Sequence, residues 1–284
     1  MLLFLRLRVV ITVAAIAFVC SNSVTVAQLV VAHRGASADG PENTLAAFRL
    51  AWDHGADAVE GDFYLTKDQQ IVALHDKSTK RTSGVDWDVR EQSLVRLQTL
   101  DVGKWKGVRF SGERIPTLKQ VSEVISTEGR LVLEIKDSPR IVPFLAKAIE
   151  NTPALTALVP DRLIIIAFDD KVVSACKKLI PEVKALWLTG FNTDESTGEI
   201  TPSIGSILET LARARADGLD CNAAAHINEQ FVRQLRNAGY EFHVWTVNDP
   251  AVAVRFQRLG VDSITTDRPA VIRKALSQAS VAVP

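Results

Sequence analysis

Short apolar runs rich in Val, Ile and Leu recur along the chain, at Leu29–Ala32, Ala58–Leu65, Ile71–Leu74, Leu131–Ile135, Leu163–Phe168, Ala185–Leu188, Gly218–Cys221, Phe242–Val247 and Ser263–Thr265. Between most of them the apolar positions follow a helical spacing. That spacing predicts helices over Thr44–His54, Leu118–Ser126, Ile141–Glu150, Lys171–Leu179, Ile204–Arg215, Glu229–Ala238 and Ala251–Leu259. A near-continuous apolar strand is buried on both faces, and such strands alternating with helices predict a parallel sheet covered on its outer side. The second and third runs are separated only by the polar residues Thr66 to Gln70. Parallel neighbours need a crossover of about a dozen residues, so this pair is expected to be an antiparallel hairpin. Setting Ile71–Leu74 aside leaves eight strands, and a (β/α)8 barrel typically has about 250 residues. Residues 77–116 break the rhythm. They are polar, carry Gly84, Gly103, Gly107, Gly112 and Pro116, and enclose Trp87 and Trp105; an insertion of that length, placed after the hairpin, is expected over the barrel mouth as a lid. From about Ser277 onward no period is visible.

The first residues read differently. Arg6 and Arg8 precede an apolar stretch from Val9 to Cys20, interrupted only by Thr12, and Thr25-Val26-Ala27 supplies small residues after it. This is the order of an export signal with cleavage after Ala27, and the stretch is shorter than the roughly 20 residues that span a bilayer. The fold is therefore assigned to residues 28–284, and the protein is expected to be exported, periplasmic or secreted. Basic and acidic residues balance at 33 each. Without residues 1–27, which hold two Arg and no acid, the remainder carries two net negative charges. A near-neutral surface argues against nucleic acid as a partner. Cys176 and Cys221 fall on a helix and a non-neighbouring strand, so they are expected as separate thiols.

Chemistry concentrates where the runs end. His33 and Arg34 follow the first run, Glu60 and Asp62 lie in the second, His75 and Asp76 follow the hairpin strand, Glu134 and Lys136 end the fourth, and Trp245 lies in the eighth. In a (β/α)8 barrel the C-terminal strand ends share one face, so residues far apart in sequence converge there. Glu60-Gly61-Asp62 puts two carboxylates on the same side of a strand, and Glu134-Ile135-Lys136 repeats the pattern with an acid and a base. Three carboxylates inside a barrel call for a cation. An all-oxygen set suits Mg²⁺ or Ca²⁺ better than Zn²⁺. His33 and His75 are candidates for proton transfer, and Arg34 and Lys136 for phosphate contact. His54, His226 and His243 read as structural, the last facing the same way as Trp245 but lower in the barrel. Cation, Arg, Lys and two His together describe phosphate-ester chemistry.

At these residues the sequence resembles the glycerophosphodiester phosphodiesterase family of phospholipase-C-like barrels. The resemblance runs from about residue 30 to 273. It rests on His33-Arg34-Gly35, Pro41-Glu42-Asn43-Thr44, Glu60-Gly61-Asp62, Leu74-His75-Asp76, Arg81-Thr82, Arg114-Ile115-Pro116-Thr117-Leu118, Leu133-Glu134-Ile135-Lys136, Val244-Trp245-Thr246-Val247-Asn248 and Thr266-Asp267-Arg268-Pro269, in that order. Where this chain has Ala167-Phe168, members often have Ser-Phe. The resemblance implies that Glu60, Asp62 and Glu134 bind one divalent cation. It further implies that His33 and His75 are the acid–base pair, that Arg34 and Lys136 hold the phosphate, and that Trp245 walls the alcohol pocket. Glu42 is expected to orient Arg34 or to cap the helix opening at Asn43. The implied reaction releases glycerol 3-phosphate from a small glycerophosphodiester such as glycerophosphocholine. Two alternatives stand beside it: a transphosphorylating enzyme of the sphingomyelinase-D type, meeting membranes through Trp87, Trp105 and Phe110, and a binding protein without turnover.

Overall fold

A computed structural model describes residues 28–281; the export signal expected over residues 1–27 lies outside them. In chain order the elements are β1 (Leu29–Ala32), α1 (Leu45–Asp53), β2 (Ala58–Leu65), β3 (Ile71–Ala73), α2 (Lys80–Ser83), α3 (Leu94–Leu97), α4 (Leu118–Ser122), β4 (Arg130–Ile135), α5 (Val142–Asn151), α6 (Pro153–Thr156), β5 (Leu163–Ala167), α7 (Asp170–Leu179), β6 (Lys184–Thr189), β7 (Asn192–Thr193), β8 (Ile200–Thr201), α8 (Ile204–Ala214), β9 (Gly218–Asn222), α9 (Glu229–Asn237), β10 (Glu241–Trp245), α10 (Pro250–Arg258), β11 (Ser263–Thr266) and α11 (Pro269–Val281). Strands β1, β11, β10, β9, β6, β5, β4 and β2 pair in that order, all parallel, and β1 pairs with β2 to close the circle. This is the eight-stranded barrel that the apolar runs predict. Strand β3 adds to β2 antiparallel, with Leu65 opposite Ile71, because the five-residue link between them is too short to cross over.

Alternation along each strand divides the core into two layers. Outward-facing side chains such as Phe63, Leu131, Ile165 and Phe242 pack against the helices with Phe48 and Phe256. Inward-facing Val31, Ala58, Val132, Ile164, Ile166, Leu186 and Leu188 fill the barrel and carry Trp245 at their upper edge. That filling forms the floor on which the polar residues stand. Helix entries are set by side-chain caps. Thr44 Oγ accepts from the Ala47 amide at 3.2 Å, and the Asp249 carboxylate accepts from the Ala251 and Val252 amides ahead of Pro250.

The structure differs from expectation in three places. The chain beyond Ser277 continues as helix α11, because Ile272 and Leu276, four residues apart, are buried against the barrel. The small polar hairpin of β7 and β8 has no apolar alternation to announce it. Residues 77–116 hold a core of their own, in which Val89, Leu97, Leu100, Val102 and Ile115 pack with Tyr64, Val72 and Leu74, and Trp87 lies against them. Only Arg81, Trp105 and Lys106 of this segment line the rim of the mouth. Cys176 and Cys221 are separate buried thiols. No helix among the described residues is long and apolar enough to cross a membrane.

Candidate functional site

The first turn after β1 sets the position of the histidine–arginine pair. A Cβ on Gly35 would lie 2.5 Å from the Ala47 carbonyl carbon, so only glycine lets this turn approach α1. Arg34 adopts φ 55° beside it. This conformation turns the Arg34 amide toward Glu60, whose Oε2 accepts from it at 2.8 Å. The Arg34 guanidinium lies 3.2 Å from Asp62 Oδ2, within ion-pair distance but not aligned for a hydrogen bond, and its Nη1 donates to Glu42 Oε1 at 3.1 Å. Glu42 also accepts two hydrogen bonds from Arg81, at 2.6 and 2.8 Å. It therefore orients Arg34, whereas the helix cap is Thr44. Asn43 instead reaches inward, donating to Asp62 Oδ2 at 2.8 Å and accepting from the Asp62 amide at 3.1 Å.

Glu60 and Asp62 both face the barrel interior, and the β2–β4 register sets Asp62 beside Glu134. One oxygen from each of the three carboxylates lies within 4.8 Å of the other two. All three residues are buried. Lys136 Nζ donates to Glu134 Oε1 at 2.8 Å and lies 3.7 Å from Asp62 Oδ1. One lysine does not satisfy this cluster, because Glu60 Oε1 and Asp62 Oδ1 are buried with no hydrogen-bond partner. Burial, reinforced by the charges of Asp62 and Glu134, pushes the Glu60 carboxyl well above its ordinary range. Burial and the Asp62 charge push Glu134 up to about 7, against the pull of Lys136. Unpartnered oxygen donors in a dry cluster of three acids fit a hard divalent cation.

Each histidine is held by an aspartate. His33 Nδ1 lies 2.6 Å from Asp267 Oδ1, and Ser37 and Asn248 donate to the same carboxylate at 2.8 and 2.6 Å. Burial works upward on Asp267, but the hydrogen bond and charge of His33 outweigh it, and the group stays well below the usual carboxylate range. His75 Nδ1 lies 2.6 Å from Asp76 Oδ1, and Arg81 Nε donates to Asp76 Oδ2 at 2.6 Å. Burial raises Asp76, while Arg81 and His75 bring it down to about 2. Burial lowers His75 itself; Arg34 and Lys136 add to the lowering, and Asp62 and Asp76 oppose it. The other ring nitrogen of His75, Nε2, lies 3.4 Å from Lys136 Nζ.

His33, Arg34, Glu60, His75, Glu134, Lys136 and Trp245 all line one cavity of about 130 Å³. Asp62 lies beneath it, fully buried. Phe168 meets Trp245 edge-on at 5.7 Å to form the apolar wall. His243 is buried lower in the barrel, with Nδ1 2.7 Å from Ser263 Oγ, and stays out of the cavity lining. Among the supporting residues, Asp76, Asn43, Arg81 and Asp267 stand in the sequence motifs without an assigned role. Asp76 directly follows a candidate histidine, and Asp267 follows the last strand, which was the signal available for them. Asp220 is different. It lies inside an apolar run, lines the floor of the cavity, and burial pushes it up to about 7 against the pull of His243.

The family model for the glycerophosphoryl diester phosphodiesterase family matches residues 33–271. A glycerophosphodiester phosphodiesterase from Caldanaerobacter subterraneus subsp. tengcongensis is 35% identical over 246 residues, covering 85% of this chain and 94% of its own. Among solved structures, an Oleispira antarctica phosphodiesterase in complex with the product sn-glycerol-3-phosphate superposes with a TM-score of 0.75 at 29% identity, covering 88% of this chain and 96% of the other. The Thermotoga maritima glycerophosphodiester phosphodiesterase superposes at 0.68 with 28% identity, covering 87% and 97%.

Proposed function

The chain belongs to the glycerophosphoryl diester phosphodiesterase family, a family of phosphoric diester hydrolases, and on that premise we propose that it cleaves glycerophosphodiesters to glycerol 3-phosphate and an alcohol by two-histidine acid–base catalysis at a divalent-cation site. The observation that carries this reading is the cavity itself, which gathers two aspartate-held histidines, three clustered carboxylates, one arginine and one lysine. Glu60, Asp62 and Glu134 would hold Mg²⁺ or Ca²⁺, which when bound supplies positive charge to the phosphoryl oxygens. Arg34 and Lys136 face the same space and add fixed positive charge. Arg34 is kept in place by Glu42 and Asp62. The cavity with its Trp245–Phe168 wall suits the small glyceryl arm common to all such substrates and leaves the variable alcohol outside, so Trp245 is proposed to face the glyceryl arm instead of the alcohol that the resemblance implies for it.

The two histidines differ in ways that suit different roles. His75 is biased toward the neutral form, so its Nε2 can take a proton from the attacking oxygen. His33 is held through Nδ1 by the Asp267 carboxylate, which leaves its Nε2 to give a proton to the leaving alkoxide. Export of the mature chain is part of the proposal and is supported by the residue pattern of positions 1–27.

The test is glycerol 3-phosphate release from glycerophosphocholine by residues 28–284, with Mg²⁺, with Ca²⁺ and with a chelator. Cation-dependent release is expected. No release with either ion would sink the reading, and a cyclic phosphate as sole final product would mark a transphosphorylase instead. The pH profile provides a further check. A base must be neutral to act, and His75 loses its proton below its ordinary value of 6.5. The acid limb of kcat/KM should therefore have its midpoint below pH 6.5, and the charge of a bound cation acts in the same direction. A midpoint above that value would remove His75 from the role of base.

A further inference from the structure

Next to the enclosed cavity, and sharing His33 and Arg34 with it, lies an open trough of about 440 Å³. Its lining is unbalanced in charge. The only carboxylates that line it are Glu42 and Asp267, and both are fully engaged. Glu42 takes Arg34 and Arg81, while Asp267 takes His33, Ser37 and Asn248. Two further cations line the trough, Lys106 and Arg268, and neither forms an ion pair among the described residues. Lys106 spends one hydrogen bond on the Ser37 carbonyl, at 2.6 Å, which fixes its ammonium over the trough with other protons available. Trp105, 43% exposed, also lines the trough, with its ring 5.6 Å from Lys106 Nζ.

A trough that opens from the scissile position receives whatever part of the diester does not fit the enclosed cavity. On the phosphodiesterase reading above, on which this step rests, that part is the leaving alcohol. We infer that the trough is an anion subsite, in which Lys106 and Arg268 bind a second phosphate carried by the leaving alcohol. A neutral or cationic alcohol makes no ion pair there, so selectivity should favour substrates whose alcohol is itself phosphorylated. The Trp105 face adds contact for the polyol skeleton between the two phosphates.

Steady-state kinetics on glycerophosphoinositol 4-phosphate and on glycerophosphocholine test the subsite. Wild type is expected to show the lower KM for the first substrate. Lys106→Gln and Arg268→Gln should each raise that KM about tenfold, the loss of one charge-assisted contact, while both constants for glycerophosphocholine stay unchanged. Equal KM values in wild type, or variants that change both substrates alike, would overturn the subsite. So would variants that leave both KM values unchanged yet lose binding to phosphatidylglycerol vesicles, because the basic rim would then be a lipid-docking patch. If neither substrate is turned over, the proposed reaction fails. Calorimetric titration of glycerophosphoinositol 4-phosphate into wild type and Arg268→Gln then reads the subsite by itself, and equal affinities would reject it.

Discussion

His33→Ala and His75→Ala are each expected to lower kcat on glycerophosphocholine by about 10²- to 10⁴-fold, the usual contribution of a positioned acid or base. KM should change little, because neither ring supplies the fixed charges that hold the phosphate. The two variants should separate when the leaving group changes. Nitrophenolate leaves without a proton, so a p-nitrophenyl diester of glycerol 3-phosphate should restore most of the rate to His33→Ala and little to His75→Ala. Equal losses on both substrates would reject the division of roles, and restoration of His75→Ala alone would reverse it. Both rings are held through Nδ1 by carboxylates that are ionised at neutral pH, so substitution at the histidine leaves a charged aspartate near the cavity. A thermal midpoint close to wild type would confirm that the lost rate is chemical.

The barrel was legible because parallel strands covered on both sides need unbroken apolar runs, and this chain has eight of them with helical spacing between. The carboxylate cluster was legible for a related reason. Glu60 and Asp62 interrupt an otherwise apolar run two residues apart, and a buried charge in such a place has few structural uses. Residues acting through others were harder to assign. Asp76, Asn43 and Asp267 stand in recognisable motifs, but what they hold depends on loop paths that bring positions 33 and 267, or 43 and 62, together. No local pattern encodes those paths. Helix α11 is absent from the predicted helices, because its packing on the barrel rests on Ile272 and Leu276 and no apolar period continues past Ser277. The Lys106 and Arg268 rim lay beyond sequence reasoning for the same reason as the aspartates. Surface charges are common, and only the closed pairing of Glu42 and Asp267 shows which cations are left over.

Cation binding should stabilise the protein, and the stabilisation should grow with pH. In the cation-free protein Glu60 and Glu134 have folded-state values above their ordinary 4.5, raised first by burial and then by the neighbouring acids. A raised carboxyl contributes stability that is present below its unfolded value and lost as pH rises through its folded value. From about pH 4.5 to beyond 7 the cation-free cluster therefore becomes progressively unfavourable. A divalent cation binds the ionised carboxylates, so protons compete with it at pH 5 and no longer do so at pH 8. At 100 times its Kd a bound ion adds about 2.7 kcal/mol, which for a domain of this size raises Tm by roughly 5–10 °C. That shift is expected at pH 8 with Mg²⁺ or Ca²⁺ and should be much smaller at pH 5. Glu134→Gln removes one ionisable group from the cluster, so its cation-free form should lose less stability between pH 5 and 8 and gain less from the ion. A shift of equal size at both pH values, or an undiminished response in Glu134→Gln, would place the ion elsewhere. The buried carboxylates Glu60 and Asp62 would then need another explanation for their unpartnered oxygens.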